Sequence, residues 1–123
     1  MLIKNVDYIN QYSHTRQVLK EVKTKHGINK GQFEVLCAAY SLQNSQQPYF
    51  IVPRLVERLE TLSKVKVYNY IKELTQKGYV EMCIKTSSPC VANYYNVTGC
   101  GESVLRYYIK NLNVKMGKWY LNV

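Results

Sequence analysis

The sequence predicts a mainly α-helical protein that contains a small β-hairpin, an α+β arrangement, and three observations support this. Apolar residues recur at helical spacing through most of the chain before Gly78. After Gly78 the spacing changes to alternation, which is typical of strands. Proline, glycine and small polar residues occur where helices would begin or end. The order of these elements therefore decides the fold.

The amino-terminal part of the chain predicts two helices. The first runs from about residue 2 to 26, without an internal proline or glycine, and Gly27 supplies its stop. For the second helix Asn29 is a suitable cap, and Gln32 can reach back to it as in a capping box. The buried face of this helix would consist of Phe33, Leu36, Cys37 and Tyr40. Cys37 is thus expected to fill space in the core.

Two more helices follow a polar link. The apolar run Tyr49–Val52 is either a brief strand or a loop anchor, and Pro53 suits the first turn of a short third helix. Ser63 can cap a fourth helix over about residues 64–77. Gly78 can end that helix in the left-handed conformation.

The period-2 pattern then predicts a hairpin and a last helix. Residues 79–85 and 94–98 read as paired strands, with an exposed loop between them. Thr98 can cap a helix over about residues 99–113. A short helix, a turn, a basic helix and a hairpin, in this order, predict a winged helix-turn-helix in a single domain, residues 1–123.

The net charge of +9, from 17 Lys and Arg against 8 Asp and Glu, favours polyanionic partners. No segment approaches the length of a membrane span, and the first residues lack the pattern of a secretory signal. We therefore expect a cytoplasmic protein with reduced cysteines and no membrane partner.

Catalytic and metal-binding signatures are not found in the sequence. It contains one aspartate, Asp7, and shows neither a close carboxylate pair nor a glycine-rich phosphate motif. The four cysteines form no Cys-x-x-Cys pair, and His14 and His26 are expected at the surface. We therefore expect neither an enzyme nor a cofactor.

The fourth helix has two contrasting faces. At about 100° per residue, Val67, Tyr70, Ile71 and Leu74 cluster on one side. The simplest interpretation of a lysine-bearing face is that it is solvated. Exposure of the apolar side chains of Val65 and Tyr68 to water would then bring no stabilisation. A face that reads a DNA groove can use them together with lysines and amides. The predicted DNA-contacting residues are Ser63, Lys64, Val65, Lys66, Tyr68, Asn69, Lys72 and Gln76, with Lys85 in the hairpin.

The stretch from Leu62 to Val80, LSKVKVYNYIKELTQKGYV, resembles the recognition helix of MarR-type (multiple antibiotic resistance regulator) winged-helix proteins. Asn96–Gly101 is similar to that family's junction between strand and helix. The resemblance implies a homodimer formed by the first and last helices, which binds a pseudo-palindromic double-stranded DNA site as a repressor-like transcription regulator. It also implies a dimer crevice able to hold a small-molecule effector, whose identity the sequence does not indicate.

The chain departs from this family in its predicted wing. Residues 86–93, TSSPCVAN, contain no arginine or lysine, whereas the family's wing usually places an arginine in the minor groove. Cys90 is the cysteine expected to be exposed there. Two alternatives remain open: a winged helix used for protein interaction or assembly, and a replication or partition protein of a mobile element.

Overall fold

The computed structural model describes residues 2–84 and 93–116, and the side chains of residues 11–84 and 93–115. The described elements are, in chain order, α1 (Leu2–His26), α2 (Lys30–Leu42), α3 (Val52–Arg58), α4 (Lys64–Gln76), β1 (Val80–Ile84), β2 (Tyr94–Val97) and α5 (Gly99–Met116). This order confirms the predicted winged helix-turn-helix. The last helix extends three residues beyond the predicted end at about residue 113.

The chain divides into two compact units. One comprises the chain up to Asn29 together with the chain from Val104 onwards, and the other runs from Lys30 to Ser103. The helix-turn-helix and the hairpin both lie in the second unit. The first unit contains α1 and most of α5, the two helices expected to form a dimer. The single domain with dimerising terminal helices stays a prediction.

The core of the second unit surrounds the apolar face of α4. Val67, Ile71 and Leu74 are at most 3% exposed, and α4 packs against both α2 and α3. Leu36 of α2 and Leu55 of α3 are fully buried as well. Burial of each such side chain contributes roughly 1.5–3 kcal/mol relative to exposure. The hydrophobic effect therefore fixes which face of α4 points inward.

Both ends of α4 are formed by the residues that the sequence predicts. Ser63 Oγ accepts a hydrogen bond from the Lys66 amide at 3.2 Å. At the other end Gly78 has a φ of 83°, and its amide donates to the Thr75 carbonyl at 3.1 Å. The Tyr79 amide donates to the Leu74 carbonyl at 3.0 Å, which completes a Schellman motif. The chain thus turns directly from α4 into β1.

The hairpin is antiparallel, with Val80 opposite Val97 and an irregularity between Met82 and Ile84. Phe50 pairs with Tyr95 through two backbone hydrogen bonds of 2.8 and 2.9 Å. Because Phe50 and Tyr95 form an isolated bridge, Tyr49–Val52 is a loop anchor and not a strand. It holds the link between α2 and α3 against β2. The hairpin loop, including Lys85 and Cys90, lies outside the described residues.

Thr98 connects the end of α4 with the start of α5. Its hydroxyl donates to the Gly78 carbonyl at 2.7 Å and accepts from the Gly101 amide at 3.2 Å. Gly101 is buried, and a Cβ there would lie 2.6 Å from Val97 Cγ1 and closer still to the Tyr79 carbonyl oxygen. The first turn of α5 therefore packs tightly against the hairpin.

In the first unit α1 and α5 are linked by polar and aromatic contacts. Glu21 pairs with Lys115 at 3.3 Å, and the rings of His26 and Tyr107 meet edge to face at 5.1 Å. His14 and His26 are both half-buried, so each expected surface histidine is only partly exposed. Desolvation, followed by the Lys25 charge, lowers the pKa of His26. This ring is therefore favoured in its neutral form.

None of the helices described in residues 2–84 and 93–116 combines the length and the hydropathy that a membrane span requires.

The tight junction at Gly101 leads to a stability prediction. Gly101→Ala forces a methyl group against the Tyr79 carbonyl and Val97, and we expect it to lower the free energy of unfolding by about 1–3 kcal/mol. Gly99→Ala is the matched control, because a Cβ at Gly99 meets no atom within 4 Å. Urea denaturation of both variants checks this. Equal stability of the two variants would contradict the packing described at Gly101.

Candidate nucleic-acid interface

The exposed face of α4 brings together the residues predicted to contact DNA. Every predicted contact residue between Ser63 and Gln76 is exposed. Val65 is 69% and Tyr68 42% exposed, so two apolar side chains do lie on this outer face. Their contact with DNA stays a prediction, and Lys85, the ninth predicted residue, lies outside the described residues.

The charges on α4 are unevenly placed. Lys64, Lys66 and Lys72 are exposed, whereas Glu73, the only carboxylate in the helix, is half-buried. Glu73 Oε1 accepts a hydrogen bond of 2.8 Å from Gln32 Nε2, which turns the carboxylate towards α2. The exposed face is therefore positively charged.

This face has the chemistry to read a duplex. Lysine ammonium groups neutralise phosphates or bond guanine edges, and the amides of Asn69 and Gln76 match the adenine edge. Val65 can touch a thymine methyl group. A B-form major groove is about 12 Å wide and admits a helix of this kind.

The elements around α4 leave this face open. The Leu59 amide donates to the Leu55 carbonyl at 2.9 Å, and the Leu62 amide donates to the Leu59 carbonyl at 3.1 Å. These bonds form a compact turn between α3 and α4. On the other side the hairpin follows α4 directly and packs against its end. Since α2 and α3 cover the inner face, the outer face remains accessible.

Two polar residues near this site had no role in the sequence-based prediction. Arg54 is exposed in the first turn of α3, beside a hollow of ≈ 120 Å³ between α2, α3 and β2. Its sequence signal is a cation directly after the proline at the helix start. Gln32 was expected to cap α2, but both polar atoms of its side-chain amide contact α4. The sequence gives no signal for that partner, which is 41 residues away.

The structure corrects the predicted buried face of α2 at two positions, Cys37 and Tyr40, the second of which is 44% exposed. Cys37 is exposed, not core-filling, because it lies at the edge of the apolar face of α2, beyond Leu36. Partial desolvation, followed by the Glu34 carboxylate, raises the pKa of its thiol to about 11. The thiol is therefore protonated and weakly nucleophilic near neutral pH. Among the described residues no group of three or more His, Cys, Asp or Glu could hold a metal ion.

The raised pKa of Cys37 predicts how its alkylation depends on pH. In the folded chain the rate with iodoacetamide should keep rising about tenfold per pH unit up to pH 10, because only the thiolate reacts. In the urea-unfolded chain the rate should level off near pH 9, close to the ordinary thiol pKa of about 8.5. Peptide mass spectrometry measures both rates. A plateau by pH 9 in the folded chain would show that the thiol is unperturbed.

Comparisons with known proteins give the same architecture. No protein-family model and no curated protein sequence match the chain. A MepR mutant from S. aureus, bound to an oligodeoxyribonucleotide, superposes with a TM-score of 0.69 at 11% identity, covering 88% of this chain and 74% of that one. YusO from Bacillus subtilis gives 0.66 at 16% identity, covering 99% and 83%. A MarR mutant from E. coli, complexed with operator DNA, gives 0.64 at 13% identity, covering 99% and 81%.

At these identities the likeness shows the fold. It confirms that the chain has the winged-helix architecture of the MarR-type structures, which the sequence resemblance implied. Any function of the exposed α4 face must therefore be argued from the residues of this chain.

Proposed function

We propose that this protein binds double-stranded DNA sequence-specifically as a homodimer and acts as a repressor-like transcription regulator in the cytoplasm. The observation that carries the proposal is the outer face of α4, on which all predicted contacts from Ser63 to Gln76 are exposed while Val67, Ile71 and Leu74 anchor the helix. Two of the structural neighbours, the MepR and MarR mutants, were solved bound to DNA.

Charge supports a nucleic-acid partner over an apolar one. The chain has a net charge of +9, and the exposed lysines of α4 add to that field at the proposed contact surface. Phosphate neutralisation by such groups releases counterions and makes affinity fall steeply with salt. The amides on the same face supply the direction-dependent hydrogen bonds that distinguish one base pair from another.

Exposed apolar side chains support a second copy as the dimer partner. Tyr12 of α1 is 65% exposed, and Ile109 and Val114 of α5 are 56% and 67% exposed. These three residues all belong to the first unit, which does not include the helix-turn-helix. Pairing through these helices would give two copies of α4 related by a two-fold axis. The matching DNA site is a pseudo-palindrome whose half-sites are about one helical turn apart.

Selection from a random duplex pool tests the proposal directly. The purified chain should enrich a pseudo-palindrome, and its affinity should fall by orders of magnitude between roughly 50 and 200 mM salt. Failure to retain any duplex at low salt would contradict the proposal and favour a protein-interaction or assembly module. Enrichment of tandem repeats without a palindrome would favour a replication or partition protein.

Asn69 and Lys66 should differ in what they contribute to binding. Asn69→Ala removes a base-reading amide, so we expect a loss of about 1–3 kcal/mol on the selected site and relaxed preference at one base position. Lys66→Ala should weaken binding to all sequences alike and reduce the salt slope by about 1. Fluorescence anisotropy with the selected site and point-substituted sites measures both effects.

Exposed residues away from α4 supply the controls for these variants. Gln46→Ala in the link before α3 and Lys30→Ala at the first residue of α2 remove an amide and a lysine from exposed positions outside α1, α4 and α5. Both controls should bind like the unaltered chain. If Asn69→Ala and Lys66→Ala behaved identically on every sequence, the division between base reading and phosphate contact would be wrong.

The dimer proposal predicts the effect of a charge on α5. Ile109→Glu places a carboxylate on the exposed apolar side chain, and we expect it to convert the dimer to monomer and weaken palindrome binding. Gln46→Glu adds the same charge at an exposed position in the link before α3, outside α1 and α5, and should leave the dimer intact. Sedimentation velocity distinguishes the two species. A monomeric unaltered chain, or a dimeric Ile109→Glu variant, would overturn the proposed interface.

A further inference from the structure

Gln32 is the one buried polar side chain among the described residues, at 4% exposure. Its Nε2 donates to Glu73 Oε1 at 2.8 Å, and its Oε1 accepts from Lys77 Nζ at 3.2 Å. One amide in the first turn of α2 therefore engages a carboxylate in α4 and the ammonium group of its cap residue. Burial of an amide costs free energy unless both of its polar ends are bonded, and here both are.

The contact lies along one edge of α4. Tyr70, Glu73 and Lys77 follow one another at spacings of three and four residues, which places them on the same side of a helix. Gly31, next to Gln32, faces the Tyr70 ring, and a Cβ at Gly31 would lie 2.6 Å from that ring. Two adjacent residues of α2 thus contact this edge of α4: Gly31 approaches the Tyr70 ring closely, and Gln32 forms hydrogen bonds.

The edge separates the buried face of α4 from the exposed one. Glu73 follows Asn69 by four residues, so its carboxylate lies one turn away on a neighbouring surface position. While Gln32 holds it, the carboxylate points towards α2. Without Gln32 the carboxylate could accept a hydrogen bond from the Asn69 amide, which would then be less available to a base edge. The hydrogen bond therefore determines where the Glu73 carboxylate lies relative to Asn69.

We propose that Gln32 is a positioning residue for DNA reading: it keeps the Glu73 carboxylate turned towards α2 and away from the base-reading face. This inference rests on the proposed function and deepens it. Gln32 touches no DNA in this arrangement. It sets the ratio between affinity for the preferred duplex and affinity for an unrelated duplex.

An exchange of the two side chains tests the geometry of the hydrogen bond. Gln32→Glu places a carboxylate opposite Glu73, and we expect the affinity ratio to fall by about tenfold or more. The double variant Gln32→Glu with Glu73→Gln reverses donor and acceptor and has the composition and net charge of the unaltered chain. We expect it to recover the ratio to within about threefold, as coupling between contacting residues predicts. Gln46→Glu, at an exposed position, controls for the added charge.

A second variant separates positioning from general stability. Gln32→Met fills the same space without polar atoms. Removing one hydrogen-bond partner costs some stability, but Glu73 is only half-buried and Lys77 is exposed, so both charged groups can turn towards water. We expect Gln32→Met to remain folded at the assay temperature and to keep its affinity for unrelated duplex, yet to lose discrimination by about tenfold, since Glu73 is released towards Asn69. Anisotropy titrations with the selected and the unrelated duplex, alongside thermal melting, give all of these values.

The outcomes are distinguishable. If the unaltered chain bound no duplex, the proposed function would fail, and the inference with it. If the unaltered chain discriminated and Gln32→Met discriminated equally well, the inference alone would be overturned. Failure of the exchange variant to recover the ratio, while Glu73→Gln alone discriminated normally, would also overturn it. Loss of discrimination by a Gln32→Met variant that is fully folded at the assay temperature, with recovery on exchange, supports it.

Discussion

Burial of one face of α4 is the constraint on which the rest of the structure depends. Val67, Ile71 and Leu74 are held by α2 and α3, so the opposite side of the helix must face outward. The same packing brings Gln32 within reach of Glu73 and turns the carboxylate inward. The lysine-bearing side of α4 thereby becomes part of the exposed surface of the second compact unit.

The wing depends on α4 through its carboxyl end. Gly78 in the left-handed conformation redirects the chain into β1, and Thr98 bonds the Gly78 carbonyl from the far end of the hairpin. The tight approach of Gly101 to Tyr79 then starts α5 at a fixed place. Helix, hairpin and the first turn of α5 are consequently linked by a few local contacts, and α5 carries the exposed apolar residues proposed for dimerisation.

Local chemistry made the helix ends and the hairpin predictable from sequence. Ser63 and Gly78 act within four residues of themselves, so their roles can be read from the chain directly. Phe50 left two interpretations open because its partner, Tyr95, is distant in sequence. Gln32 was assigned a local role for the same reason. The predicted burial of Cys37 was wrong, because helical periodicity does not determine which residue at the edge of an apolar face is covered by a neighbouring helix.

The exposed face of α4 was predictable as a surface, since the opposite apolar stripe is unambiguous. The partner of that surface is a separate molecule, so the residues of this chain do not determine it by themselves.

NMR spectroscopy of the ¹⁵N-labelled chain, titrated with the duplex selected from a random pool, most directly tests the proposal that the partner is DNA. The proposed DNA-reading role predicts the largest amide shift changes between Ser63 and Gln76. Changes confined to α1 and α5, with α4 unaffected at saturation, would contradict it.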